Sequence, residues 1–197
     1  MSKRVCPFWV GYLLLSPLRR FFENPSRMFG GLVREGMTVL EPGCGMGYFT
    51  IPLALRVGPS GKIIAIDLEP RMIAALEKRA LKAGLLDRIE LRLCESGRLG
   101  IEDLRDQVDF AAVIHMLHEA PDPGRFFEEI RQALKIDGRL LFLEPKWHVP
   151  RRDFTKNIAL AQALGYAPDD RLFDLKARKV LLRKKNPDGT KAPSHER

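Results

Sequence analysis

Between Val39 and Thr50 the chain reads Val-Leu-Glu-Pro-Gly-Cys-Gly-Met-Gly-Tyr-Phe-Thr. An acid, Glu41, therefore stands two residues ahead of three alternating glycines, Gly43, Gly45 and Gly47. Glycines in such a stretch let a ligand approach the backbone, because no Cβ stands in the way. The spacing is G-x-G-x-G with Tyr48 next, so the pyrophosphate cradle of a G-x-G-x-x-G fingerprint is not expected. Asp67 follows Gly47 by about twenty residues, where a carboxylate can accept both hydroxyls of a ribose. A nicotinamide dinucleotide site would use an acid in the same way, so Asp67 alone does not choose the ligand. Leu68 is suited to pack on an adenine face, and Glu95 with Ser96 forms a further polar pair. Beyond them come His115, His118 and Glu119, then Glu144, Lys146, Trp147 and His148. Imidazoles and carboxylates in these positions could move a proton. Their spacing is not that of a metal site, and Cys6, Cys44 and Cys94 form no Cys-x-x-Cys pair, so no metal is expected.

Such groups need strands that end together. Short apolar runs predict strands over 37–41, 62–67, 88–94, 108–115, 139–144 and 179–183. Helical spacing predicts helices over 48–57, 71–83, 123–134 and 154–164, several followed by a glycine that stops them. Asp137-Gly138 is expected to turn the chain before the fifth strand. Strands and helices that alternate in this way imply a parallel sheet covered on both faces. Ligands of open α/β sheets bind at the carboxyl ends of the strands, and the glycine stretch, Asp67, Glu95 and His115 all lie at such ends. Asn24-Pro25 or Ser26 is read as a helix cap ahead of the first strand.

The acid-led G-x-G-x-G at Glu41–Gly47 resembles motif I of the class I S-adenosylmethionine-dependent methyltransferases. The segments 115–123 and 134–140 resemble the family's stretch after the fourth strand and its approach to the fifth. The likeness runs clearly from Val33 to Glu144 and more weakly to Lys184, and is nearest the small-molecule branch that includes the quinone-biosynthesis enzymes. It implies a Rossmann-like, doubly wound α/β fold with a mostly parallel seven-stranded sheet, helices on both faces and an N-terminal helical extension. It also implies S-adenosylmethionine as cofactor and S-adenosylhomocysteine as product. Glu41 would then help orient the cofactor's charged amino-acid end, and Glu95 would stand where the family usually has an Asp for the adenine amino group. Gly43, Gly45, Gly47, Tyr48, Asp67, Leu68, Ser96 and His115 complete the expected cofactor site.

Methyl transfer from a sulfonium asks the protein mainly to align three atoms, with proton removal where the acceptor needs it. No covalent nucleophile is required. His118 is the candidate base and His148 the second candidate catalytic residue, with Glu144 or His148 expected to contact substrate.

Bulk properties narrow the partners. The chain has 197 residues, 45% of them hydrophobic, and a net charge of +8 that favours anionic ligands or surfaces. The excess toward the C-terminus is read as a solvated edge. A small-molecule acceptor is expected and nucleic acid is not, because the Asn/Asp-Pro-Pro-aromatic motif of base-nitrogen methylation is missing after the fourth strand. An NAD(P) oxidoreductase is disfavoured by the glycine spacing and by the lack of a Tyr-x-x-x-Lys pair. A non-catalytic binding module would keep the same loop. Cysteine usage suggests a cytoplasmic setting. Residues 1–35 are expected to form a helical extension or aromatic lid, 36–185 the methyltransferase domain, and 186–197 a loose tail. The apolar run 5–18 carries Pro7 and closes on Arg19-Arg20, so it is read as fold rather than leader, with peripheral membrane contact as the lesser alternative.

Overall fold

A computed structural model describes residues 23–186. Most of the expected N-terminal extension and nearly all of the expected tail lie outside them, so neither expectation is addressed. Two compact units divide the chain between Gly100 and Ile101.

The first unit opens with a one-turn helix α1 (Pro25–Met28), capped by the Asn24 side chain as expected. It continues with β1 (Thr38–Pro42), α2 (Thr50–Val57), β2 (Lys62–Asp67), α3 (Pro70–Lys82) and β3 (Ile89–Leu93). The three strands lie in the order β3-β2-β1 and all run parallel. Ile63 to Ile66 are consecutive and all buried, which requires cover on both faces of β2. In α3, Met72, Leu76 and Ala80 recur every four residues and are its buried side. Glu69 caps the start of α3 through the Arg71 N–H, with Pro70 at the first helical position. Its end is a Schellman motif: Gly84 takes φ +66°, Leu85 donates to the Ala80 carbonyl, and Gly84 donates to that of Leu81.

The second unit holds β4 (Val108–Ile114), α4 (Pro123–Ala133), β5 (Leu134–Leu143), α5 (Arg151–Ala163), β6 (Tyr166–Asp174) and β7 (Lys179–Lys184). Its strand order is β4-β5-β7-β6, with β4 and β5 parallel and β7 antiparallel to both neighbours. The seven strands and intervening helices form a Rossmann-like, mostly parallel α/β fold, as expected. Phe127, Phe142, Phe154 and Tyr166 fill the core of this unit, and the Tyr166 hydroxyl donates to the Phe127 carbonyl at 3.0 Å.

Two expectations need correction. The strand expected over 139–144 begins at Leu134, directly after α4. Leu134 pairs with Val108, Arg139 pairs with Phe110, and the extra residues between form a bulge in which Asp137 takes φ +61°. The sequence pattern also missed β6, whose nine residues include Pro168 and four charges. β6 pairs only with β7, and an edge strand tolerates both features. Among the described residues, no helix is long and apolar enough to cross a membrane.

Candidate functional site

In the first unit the candidate site is the turn from β1 to α2. Gly43 and Cys44 both donate to the Ile66 carbonyl, at 2.8 and 3.0 Å, which draws the turn across the end of β2. The Gly45 N–H donates to Asp67 Oδ2 at 2.8 Å, and the Glu69 N–H donates to Oδ1 at 3.0 Å. The Arg79 guanidinium braces the turn from outside by donating to the Met46 carbonyl. Gly43, Gly45 and Gly47 have φ of +71°, +54° and +82°, a region that favours glycine. The last two differ in what surrounds them. A Cβ at Gly47 would collide with the Leu76 side chain, whereas a Cβ at Gly45 would meet nothing within 4 Å. Gly47 thus serves helix packing, and Gly45 leaves the backbone approachable.

Glu41 is the unusual group here. Its side chain lies in β1, only 3% exposed, and among the described residues Oε2 has no hydrogen-bond partner. Burial pushes its carboxyl up to about 8; the nearby Thr50 hydroxyl draws it back and the Asp67 charge adds to the rise. Burial also raises Asp67, against the pull of the N–H groups of Glu69, Gly45 and Leu68. Among the described residues, then, a buried polar atom stands without a hydrogen-bond partner beside an open glycine turn.

Tyr48 points elsewhere: its hydroxyl donates to the Glu23 carbonyl at 2.7 Å, and its ring meets Phe49 edge-on. Leu68 is half-buried after Asp67. The end of β3 adjoins Asp67 through the Cys94 N–H, which donates to the Asp67 carbonyl at 3.0 Å. Glu95 and Ser96 follow and are exposed, with Glu95 bridged to Arg98.

The second unit has a polar cluster of its own, where β4 and β5 end side by side. Ile114 is paired with Leu143, and the His115 N–H donates to the Leu143 carbonyl at 2.8 Å. His115 has φ +56°, a conformation that costs a non-glycine residue roughly 1–2 kcal/mol. That kink leads into the turn carrying His118. The Glu144 side chain is fully buried, and both oxygens are used by His118: Oε1 accepts its backbone N–H at 3.1 Å, and Oε2 lies 2.7 Å from Nδ1. An ionised carboxylate can only accept; paired with one, the ring donates from Nδ1, and its neutral tautomer then has its lone pair at Nε2. Glu119 Oε1 lies 3.9 Å from Nε2, and the His148 ring centroid is 4.8 Å from that of His118. Among the described residues no group of three His, Cys, Asp or Glu could hold a metal ion.

The sequence reading named polar residues in both units and offered Glu144 or His148 as a substrate contact. The structure leaves His148 exposed and has both Glu144 oxygens on His118. A usable signal existed: the two residues follow adjacent parallel strands. Arg79, the brace of the glycine turn, was missed, because nothing in a helical Arg announces a carbonyl far away in sequence.

A family model described as a methyltransferase domain matches residues 33–167. The chain is 32% identical over 112 residues to a demethylmenaquinone methyltransferase of Lactobacillus johnsonii, covering 57% of this chain and 45% of that protein. It is 31% identical over 134 residues to the tRNA (adenine(57)-N(1)/adenine(58)-N(1))-methyltransferase TrmI of Methanocaldococcus jannaschii, covering 57% and 46%. The chain thus spans less than half the length of these relatives. Among solved structures, a SAM-dependent methyltransferase from Aquifex aeolicus superposes with a TM-score of 0.77 at 22% identity, over 91% of this chain and 97% of that one.

Proposed function

This chain belongs to the methyltransferase-domain family, and on that premise we propose that it transfers the methyl group of S-adenosylmethionine to a small-molecule acceptor. One observation carries the reading: the buried, unpartnered Oε2 of Glu41 beside the open Gly45 turn. A carboxylate in that state is matched by a cationic amine, which S-adenosylmethionine has and NAD lacks. The residues present therefore fit the cofactor. Glu41 would hold its ammonium end. Asp67 keeps a second lone pair on each oxygen and would accept from the ribose hydroxyls, with Leu68 against the adenine. Gly43, Gly45 and Gly47 would shape the approach, Glu95 and Ser96 would face the adenine edge, and His115 would line the pocket. Tyr48 would act indirectly, by tying the turn to Glu23.

S-adenosylmethionine supplies, when bound, a methyl group already activated on its sulfonium. The remaining work is alignment and proton removal. His118 Nε2 would take the acceptor's proton, and Glu144 is its positioning residue, fixing tautomer and ring plane through Nδ1. His148, exposed beside His118, would contact the acceptor. The quinone-biosynthesis relatives support a small acceptor, and the cysteine usage supports a cytoplasmic setting.

The +8 charge and the likeness to TrmI favour a second reading, an RNA acceptor; RNA binding that weakens steeply with salt would bring it forward. The test of the main reading is the melting temperature with S-adenosylhomocysteine, NAD or NADP, since a ligand bound only by the folded state must raise it. S-adenosylhomocysteine alone should stabilise, and Asp67→Ala should remove the effect. Stabilisation by NAD, or by none of the three, would sink the proposal.

A further inference from the structure

Two segments of the second unit carry side chains that, His148 apart, the methyl-transfer reading leaves unused. One runs from the end of β5 into α5, residues 145–152, and the other from the end of β6 through a turn into β7, residues 173–179. They are tied together: the Glu144 N–H donates to the Arg178 carbonyl at 3.0 Å, and Arg178 Nε donates to the Val149 carbonyl at 3.3 Å. Each presents a large aromatic side chain to solvent. Trp147 is 88% exposed and Phe173 is 49% exposed. Lone exposed apolar residues are ordinary, but two on joined segments amid charge mostly of one sign are not. The two segments hold six Lys and Arg (Lys146, Arg151, Arg152, Lys176, Arg178, Lys179) against Asp174 within them and Asp153 next to them, whose Oδ1 lies 3.5 Å from Arg152 Nε. Asp174 is itself engaged: Oδ1 accepts the Ala177 N–H at 2.8 Å, and its carboxyl is held below the usual range first by that bond and further by the Lys146 and Lys176 charges.

What such a patch could grip follows from what it contains. Indole and phenyl rings settle at the headgroup level of a bilayer, and Lys and Arg stems lie along apolar surface while their heads reach anionic groups. Nucleic-acid recognition also uses cations and aromatics, but adds amide and hydroxyl side chains that bond sugar, phosphate and base edges. Between 145–152 and 173–179 there is no Asn, Gln, Ser, Thr or Tyr. The backbone of the Trp147 turn is turned inward as well, with the His148 and Val149 N–H groups both donating to the Pro145 carbonyl.

We propose that the joined segments 145–152 and 173–179 form a peripheral docking surface for an anionic phospholipid bilayer, with Trp147 and Phe173 inserted and Lys146, Arg151, Arg152 and Lys176 on the headgroups. The surface is independent of the methyl-transfer reading, since vesicle binding requires no turnover.

The test uses the full chain carrying Trp9→Phe, which leaves Trp147 as the sole indole of the two in the sequence. It is mixed with phosphatidylcholine vesicles, with vesicles of phosphatidylcholine and phosphatidylglycerol, and with a single-stranded RNA oligomer. Expected are co-sedimentation with the anionic vesicles only, weakening with salt, and a blue shift of the Trp147 emission. Each cation reversed should weaken partition roughly fivefold or more. Lys146→Glu with Arg151→Glu and Arg152→Glu, or Trp147→Ala, should release the protein while leaving its melting temperature unchanged, since these side chains are solvent-facing. Vesicle binding with an unshifted Trp147, or insensitive to these substitutions, would overturn the assignment. So would binding to RNA but not to vesicles, or to neither.

Discussion

Glu41 and Glu144 are both buried carboxyl groups at or just beyond the end of a parallel strand, one in each unit, and the protein treats them in opposite ways. Glu144 spends both oxygens on the backbone and ring of His118. Glu41 keeps Oε2 without a partner and is pushed up to about 8 by burial. A buried acid with its partners in place orients something the protein already owns. A buried acid left unsatisfied is a cost that a cationic ligand can remove.

The sharpest way to break this contrast is Glu144→Gln. The amide keeps the size of the side chain but cannot accept on both atoms, so the imidazole loses its fixed tautomer. Turnover should fall by roughly 10²–10⁴, with the S-adenosylhomocysteine-induced rise in melting temperature intact and Glu144→Asp restoring part of the rate. Loss of cofactor binding in this variant would show that Glu144 does more than hold His118.

Glu41→Gln should do the reverse, and its effect depends on pH with a definite sign. The unfolded carboxyl titrates near 4.5 and the folded one at about 8. Between these values the native state binds the extra proton, so stability falls as pH rises through the window and stays reduced above it. Glu41→Gln removes that loss. Denaturant melts should find the variant equal to the parent below pH 4.5 and more stable by a few kcal/mol above pH 8, at roughly 1.4 kcal/mol per tenfold change in proton affinity. Affinity for S-adenosylhomocysteine should drop in the same variant. A stability difference that does not change with pH would mean that Glu41 already has a partner.

The smallest expected effect divides the glycine turn itself. Gly47→Ala meets Leu76 at φ +82° and should cost roughly 2–4 kcal/mol in a melt. Gly45→Ala, at φ +54° with open space around it, should cost only about 1 kcal/mol and yet weaken S-adenosylhomocysteine binding roughly tenfold or more. Equal losses of stability in the two variants would remove the distinction between a packing glycine and an approach glycine.

Much of this was legible in the chain order of the residues. Continuous apolar runs such as Ile63 to Ile66 can only be strands covered on both faces, and the G-x-G-x-G stretch after β1 has to be a turn that glycine alone follows comfortably. Strand ends therefore located Glu41, Asp67, His115 and Glu144 before any coordinates. β6 was not legible, because an edge strand obeys weaker rules than a central one: its outer side needs no partner, so Pro168 and its charges stand where a buried strand would exclude them.

Residue types and local periodicity are properties of neighbours in sequence, and they determined six of the seven strands, most of the helix limits and the glycine turn. Only the tertiary structure decided how each buried acid is used. Whether Glu144 is satisfied and Glu41 is not depends on which polar groups arrive from elsewhere in the chain. The register of β4 against β5 brings His118 within 2.7 Å of Glu144, twenty-six residues away. Among the described residues no hydrogen-bond partner reaches Glu41 Oε2, and burial raised its proton affinity.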